Sequence, residues 1–199
     1  MRTSNTKELL LQATLKLISE KGYLGTTTRE IANEAGVTEI TLFRNFGSKE
    51  LLFEEVLKTY TFLPRLKELL PKLEGLSCED ALVLIATRFL QTLKERKELI
   101  QIMYQEVTSY PEKIRDVYNK FLAEVRSTLA NYITTLQERG ELRKDVTPEM
   151  AARVFLAMFF AYFRQEEIMR PGGMKKQNME KYIRDVVDIY MHGTLDGRR

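Results

Sequence analysis

The sequence predicts an all-α protein of about nine helices, with a short three-helix module at the N-terminus followed by a longer helical region. Apolar residues recur at three- and four-residue spacing along nearly the whole chain, and no stretch alternates apolar and polar residues as a strand would. Helix start signals, a Ser, Thr or Asn with Glu or Asp three residues on, repeat ahead of these stripes, and glycines stand where the stripes stop.

Asn5 and Glu8 have the spacing of a capping box, opening a helix that carries Leu9, Leu10, Ala13, Leu17 and Ile18 and ends at Gly22. Thr27 and Glu30 repeat that spacing before Ile31, Ala32 and Ala35, with Gly36 as the stop. Thr38 caps a third, short helix reaching about Phe46, and Ser48 caps a fourth with Leu51, Leu52, Phe53 and Val56. The fourth is expected to fade near Pro64, because proline lacks a backbone donor and disfavours helix in the residue before it.

The later helices are longer. Ser77 and Asp80 open one that runs to about Arg96, and a shorter one holds Leu99, Ile100, Met103 and Val107 before Tyr110 and Pro111. A continuous stripe from Ile114 to Leu136 ends at Gly140. Thr147 and Pro148 open the next helix, expected to reach about Met169, whose middle, VFLAMFFAYF, is apolar all round. A helix with no polar face must be covered on more than one side, and in a chain of this size a second subunit is the natural cover. The last helix carries Met179, Tyr182, Ile183, Val186, Val187 and Tyr190. The expected two-fold contact therefore uses Phe160, Phe163, Tyr182, Ile183, Val186, Val187 and Tyr190.

Composition narrows the function classes. The chain has 199 residues, 44% of them hydrophobic, which is enough for a core. Its 31 basic and 28 acidic side chains give a net charge of +3, too little to impose a nucleic-acid partner through field alone. A single cysteine, Cys78, provides no disulfide framework, and a single histidine, His192, argues against a zinc site or a histidine-based catalytic array. No enzyme activity, metal or cofactor is expected. No apolar run approaches the roughly 20 residues of a membrane span, so the expectation is a soluble protein of the reducing cytoplasm, without a membrane partner.

TTTREIANEAGVTEITLFRNF consists of two short helices about a glycine turn, the pattern of a helix-turn-helix whose second helix enters the DNA major groove. Ile31, Ala35, Val37, Leu42 and Phe46 supply the apolar lock. The outward residues are then free for contacts. Thr27, Thr28 and Thr38 present hydroxyls at helix N-termini, where phosphate oxygens are favoured, and Thr41 follows within the second helix. Lys49 opposes the dipole of the helix it opens, a placement that a neighbouring phosphate would explain. Residues 1–50 hold seven basic and six acidic side chains, so binding would rest on placed contacts and not on a basic arm.

GTTTREIANEAGVTEITLFRNFGSKELLFEEVL resembles the DNA-binding signature of the tetracycline-repressor (TetR) family of bacterial regulators, with the match covering about residues 5 to 58. The resemblance implies a helix-turn-helix DNA-binding domain over 1–50 and an effector-binding and dimerising domain over 51–199. It implies a homodimeric repressor released from a palindromic double-stranded operator by a small ligand. Carried over by position, Thr28, Thr38, Phe43, Arg44, Asn45 and Lys49 fall at or near backbone-contacting positions, with Glu39, Ile40 and Arg44 nearest the bases. Phe43 stands where the family commonly has tyrosine and so lacks a hydroxyl for phosphate. Asn45 stands where histidine is common, and Ile40 replaces a usually small residue.

Phe89, Met103, Tyr104, Tyr118, Leu122, Phe155, Met158, Phe159 and Tyr162 lie on helices that in the family surround the effector cavity. Aromatic and methionine walls suit an apolar or amphipathic ligand, although packing alone also requires apolar residues at this spacing. Two other readings stay open: a related DNA-binding protein controlled by a protein partner or by nothing, and an all-helical enzyme or lipid carrier, which lacks a recognisable nucleophile and base.

Overall fold

A computed structural model describes residues 2–170 and 173–193, with side chains from Asn5 onward. Ten α-helices follow in chain order: α1 Arg2–Lys21, α2 Thr28–Glu34, α3 Glu39–Phe46, α4 Lys49–Tyr60, α5 Phe62–Leu69, α6 Cys78–Glu95, α7 Lys97–Glu106, α8 Glu112–Glu138, α9 Pro148–Phe163 and α10 Lys176–His192. There is no strand among the described residues, and no helix among them is long and apolar enough to cross a membrane.

The cap signals work as local chemistry requires. Thr27 accepts from the Glu30 amide while the Glu30 carboxylate accepts from the Thr27 amide, a closed capping box. Thr38, Ser48 and Thr147 accept from Thr41, Leu51 and Met150, and Ser77 accepts from Asp80. Three expectations need correction. The first helix begins at Arg2, so Asn5 lies inside it and does not cap it. The helix expected to fade near Pro64 stops at Tyr60, and a separate α5 starts at Phe62 with Pro64 in its first turn. Amides of a first turn have no intrahelical acceptor, so the donor that proline lacks is not needed there. The helix expected to run from Thr147 to Met169 has α-helical geometry only to Phe163 and ends in a π-helical turn, Arg164–Met169. Within that turn the buried Glu167 accepts from the Met174 amide at 2.8 Å and lies 3.4 Å from Lys94 Nζ.

The helices form two compact units that interleave along the chain. The first comprises residues up to Thr61 together with Arg96–Leu122. Here α1 is buried on two faces. Leu10, Leu11, Ala13 and Leu17 pack with Ile31, Ala35, Leu42, Leu52 and Val56, while Ile18 joins Tyr23, Phe53, Leu57, Leu99, Met103, Tyr110 and Ile114. One helix thus belongs both to the core of α2, α3 and α4 and to a core shared with α7 and the start of α8. Leu42 and Leu52 are fully buried, and truncating either to alanine would cost about 2–5 kcal/mol.

The second unit comprises Phe62–Glu95 and the chain from Ala123 onward. In it α6 is buried along Ala81, Leu82, Ile85, Ala86, Phe89 and Leu90, and Phe62 packs on Phe89 with ring centroids 4.7 Å apart. On α9, Ala152, Phe155, Phe159 and Phe163 face inward, as do Met179, Ile183, Val186 and Val187 of α10. Tyr162 stacks on Tyr182 at 3.8 Å, and the Tyr182 hydroxyl donates to the Met158 carbonyl.

Gly22 closes α1 at φ +77°, and a Cβ there would overlap the Glu106 carboxylate. A side chain at such a φ costs about 1–2 kcal/mol before any clash. Gly36 has φ +68° with open space around it. Gly22→Ala should therefore lose ~2 kcal/mol or more, a fall of ~4–8 °C in Tm, and Gly36→Ala distinctly less. Equal losses in thermal unfolding would contradict the close approach of Glu106.

Candidate nucleic-acid interface

The turn between α2 and α3 is a Schellman closure. The Gly36 amide donates to Asn33 and the Val37 amide to Ala32, with Gly36 in the left-handed region that a residue lacking Cβ enters without penalty. Val37 is then delivered to the core that fixes α3. The Thr28 hydroxyl donates to Glu39 Oε1 at 2.5 Å, which ties the first turns of the two helices together. The Glu39 carboxylate sits at the N-terminus of α3, where the dipole favours it.

The predicted contact residues divide into those occupied within the chain and those left outward. Thr27 is held in its capping box, and the Thr38 hydroxyl meets both the amide and the hydroxyl of Thr41. Asn45 donates its side-chain amide to the Thr41 carbonyl at 2.7 Å. Arg44 is exposed, as are Ile40 at 80% and Phe43 at 45%. Glu30, bonded to Lys21 and to Thr27, is held down to a pKa of about 2 by those partners, Lys21 foremost.

Lys49 does not have the setting expected of it. Its Nζ donates to the Tyr23 carbonyl at 2.5 Å and lies 4.0 Å from the centre of the Tyr23 ring. Burial lowers its pKa, against the opposing pull of Glu50, Glu106 and Glu30. The cost of a cation at a helix N-terminus is thus offset inside the protein, by a carbonyl and an aromatic face. The same peptide segment is held from the other side, because the Tyr23 amide donates to Glu106 Oε2 at 2.8 Å. The buried Tyr23 ring packs on Phe53 at 5.0 Å and Tyr110 at 6.0 Å, and burial raises its hydroxyl pKa. Tyr23 and Glu106 were not among the predicted site residues. They are 83 positions apart, and only the glycine before Tyr23 hinted at a close approach.

The predicted effector residues fall in both units. Met103, Tyr104, Tyr118 and Leu122 belong to the first, where Met103 is core and Tyr118 packs against that core. Phe89, Phe155, Met158, Phe159 and Tyr162 belong to the second, where Phe89, Phe155 and Phe159 are buried. In the second unit a half-open cleft of about 380 Å³ lies among Ile133, Leu142, Val146, Val154, Met158 and Ile189, with Gln137, Glu141 and Arg143 also on its wall. Met158 is the one predicted effector residue that lines it. Cys78 is buried, and its thiol is pushed up to about 11 by that burial, so it carries no thiolate near neutrality.

The predicted two-fold contact is also redrawn. Phe163, Ile183, Val186 and Val187 are buried inside the chain and cannot offer a surface. Phe160, Tyr182 and Tyr190 are half-buried, and the Tyr190 hydroxyl is enclosed, its pKa pushed up to about 12 by burial. The apolar row left outside on α9 is Met150, Val154, Ala157 and Ala161, joined by Ile189 of α10.

This is the architecture of a helix-turn-helix transcription regulator. The family described as "Bacterial regulatory proteins, tetR family" matches residues 10–56, and the "AefR-like transcriptional repressor, C-terminal domain" matches residues 80–193. The chain belongs to the TetR family. It is 34% identical over 163 residues to the uncharacterized HTH-type transcriptional regulator YvkB of Bacillus subtilis, covering 82% of each chain. A TetR-family regulator from Mesorhizobium loti superposes with a TM-score of 0.76 at 25% identity, over 96% of both chains. The Bacillus subtilis regulator FadR in complex with stearoyl-CoA shares the fold at a TM-score of 0.72 and 18% identity, over 94% of this chain and 99% of that one.

If Lys49 were spent on phosphate, Lys49→Ala would reduce the salt slope of DNA binding by about 0.9 per site, roughly 1.8 per dimer. Its inward placement predicts a much smaller change in slope together with a lower Tm. A full reduction at unchanged Tm would return Lys49 to the phosphate.

Proposed function

We propose that the chain is a homodimeric cytoplasmic repressor that holds a two-fold operator and releases it when an apolar or amphipathic small molecule binds its helical C-terminal region. The observation that carries this reading is the outward face of α3, where Ile40, Phe43 and Arg44 stand free on a helix whose Leu42 is locked into the core. A recognition helix must present such a face to the groove while its other side stays locked in the core. The backbone-contacting role falls to the N-terminal ends of α2 and α3, because the Thr28 and Thr38 hydroxyls are held by Glu39 and Thr41 and Lys49 is held by Tyr23.

Pairing of two copies is supported by the apolar row Met150, Val154, Ala157, Ala161 and Ile189, which a second copy would cover. Two recognition helices would then meet half-sites roughly 34–36 Å apart. Release requires the effector to favour a conformation in which that spacing fails. Any effector that displaces α7 pulls on Glu106, and through the Tyr23 amide on the turn that leads into α2. The acyl-CoA held by a regulator of the same fold supports an amphipathic effector.

The reading is tested by selecting duplexes from a random library and titrating the enriched sequence with and without stearoyl-CoA. A two-fold-symmetric sequence is expected. If stearoyl-CoA is an effector it weakens binding, and DNA must weaken stearoyl-CoA binding by the same factor. Absence of any enriched sequence would reject the reading. For assembly, Val154→Glu should give a folded monomer in sedimentation at micromolar concentration, whereas Val187→Glu, inside the core, should unfold the chain. A wild-type monomer, or a Val154→Glu dimer, would reject the proposed face.

A further inference from the structure

Ile40 is 80% exposed and belongs to neither core cluster of its unit. Phe43 and Arg44 follow it at three and four residues, so the three share one face of α3. The polar side chains around them are engaged elsewhere. Glu39 accepts the Thr28 hydroxyl, Asn45 donates to the Thr41 carbonyl, and Thr38 and Thr41 meet each other. The leading part of the recognition face is therefore aliphatic and aromatic, with one guanidinium a turn behind. In the major groove the apolar feature of a base edge is the 5-methyl group of thymine, and a guanidinium suits the N7 and O6 acceptors of guanine.

We propose that Ile40 reads thymine through its 5-methyl group while Arg44 addresses a nearby guanine, so that each half-site carries a T close to a G. Positions 40 and 44 lie about 6 Å apart along the helix, the scale of one to two base steps of about 3.4 Å. The inference rests on the reading that α3 enters the major groove. Of the residues nearest the bases it leaves discrimination to Ile40 and Arg44 and not to Glu39, because Glu39 would have to release Thr28 before accepting from a base.

The test uses the full-length protein and the duplex recovered by selection, with each T of the half-site replaced in turn by deoxyuridine, in both halves symmetrically. This removes the methyl group and leaves pairing intact. Wild type should lose about fourfold per half-site at one T position, the factor that corresponds to one buried methyl group, and about fifteenfold for the pair. Ile40→Ala should bind the parent duplex more weakly and be indifferent to the same replacement. Its exposed position leaves the fold intact, and the wild-type arm stands without it. Wild-type binding that ignores every deoxyuridine, or Ile40→Ala that keeps the full sensitivity, would overturn the proposal while leaving DNA binding in place. If no sequence is enriched, the DNA-binding reading falls and this proposal falls with it.

Discussion

The peptide segment at Tyr23 is held from both sides, its amide by Glu106 and its carbonyl by Lys49, and the placement of the recognition helix depends on that clamp. Three elements meet there: the end of α1, the first residue of α4 and the last residue of α7. Hydrogen bonds to charged groups contribute about 1.5–3 kcal/mol each, more than neutral ones, and the Tyr23 ring adds aromatic contacts on Phe53 and Tyr110. The close approach of the Glu106 carboxylate is possible only because residue 22 has no Cβ.

From that point the rest of the first unit follows. With its C-terminal end fixed, α1 presents one face to α2, α3 and α4 and another to α7 and the start of α8. The capping box at Thr27 then starts α2, the Schellman turn redirects the chain, and Leu42 and Val37 seat α3. Binding chemistry is left to a small outward face because the neighbouring polar groups are already bonded to one another. The turn that opens α2 is tied to the end of α7 through the Tyr23 amide and Glu106, away from the recognition surface.

What could be read in the sequence was what is local. Thr27, Thr38, Ser48 and Thr147 cap helices because donor and acceptor lie within three residues of each other, and the glycine turn between α2 and α3 depends on its own backbone. Pro64 misled because proline breaks a helix interior but is tolerated in a first turn. Lys49 was legible only in part: the dipole argument was sound locally, but the carbonyl that holds its ammonium lies 26 residues earlier. Which side of α9 is core was illegible because apolar residues surround the helix. Only its packing within the second unit shows that Phe155, Phe159 and Phe163 are core and that Val154 is not.

The clamp is tested most directly by amide hydrogen exchange on the free protein and on Glu106→Ala. If the Tyr23 segment organises the recognition helices, losing Glu106 should raise exchange at Tyr23 and also across the first turns of α2 and α3, while the α9 and α10 amides stay protected. Faster exchange confined to Tyr23 itself, with α2 and α3 as protected as in the wild type, would contradict the account.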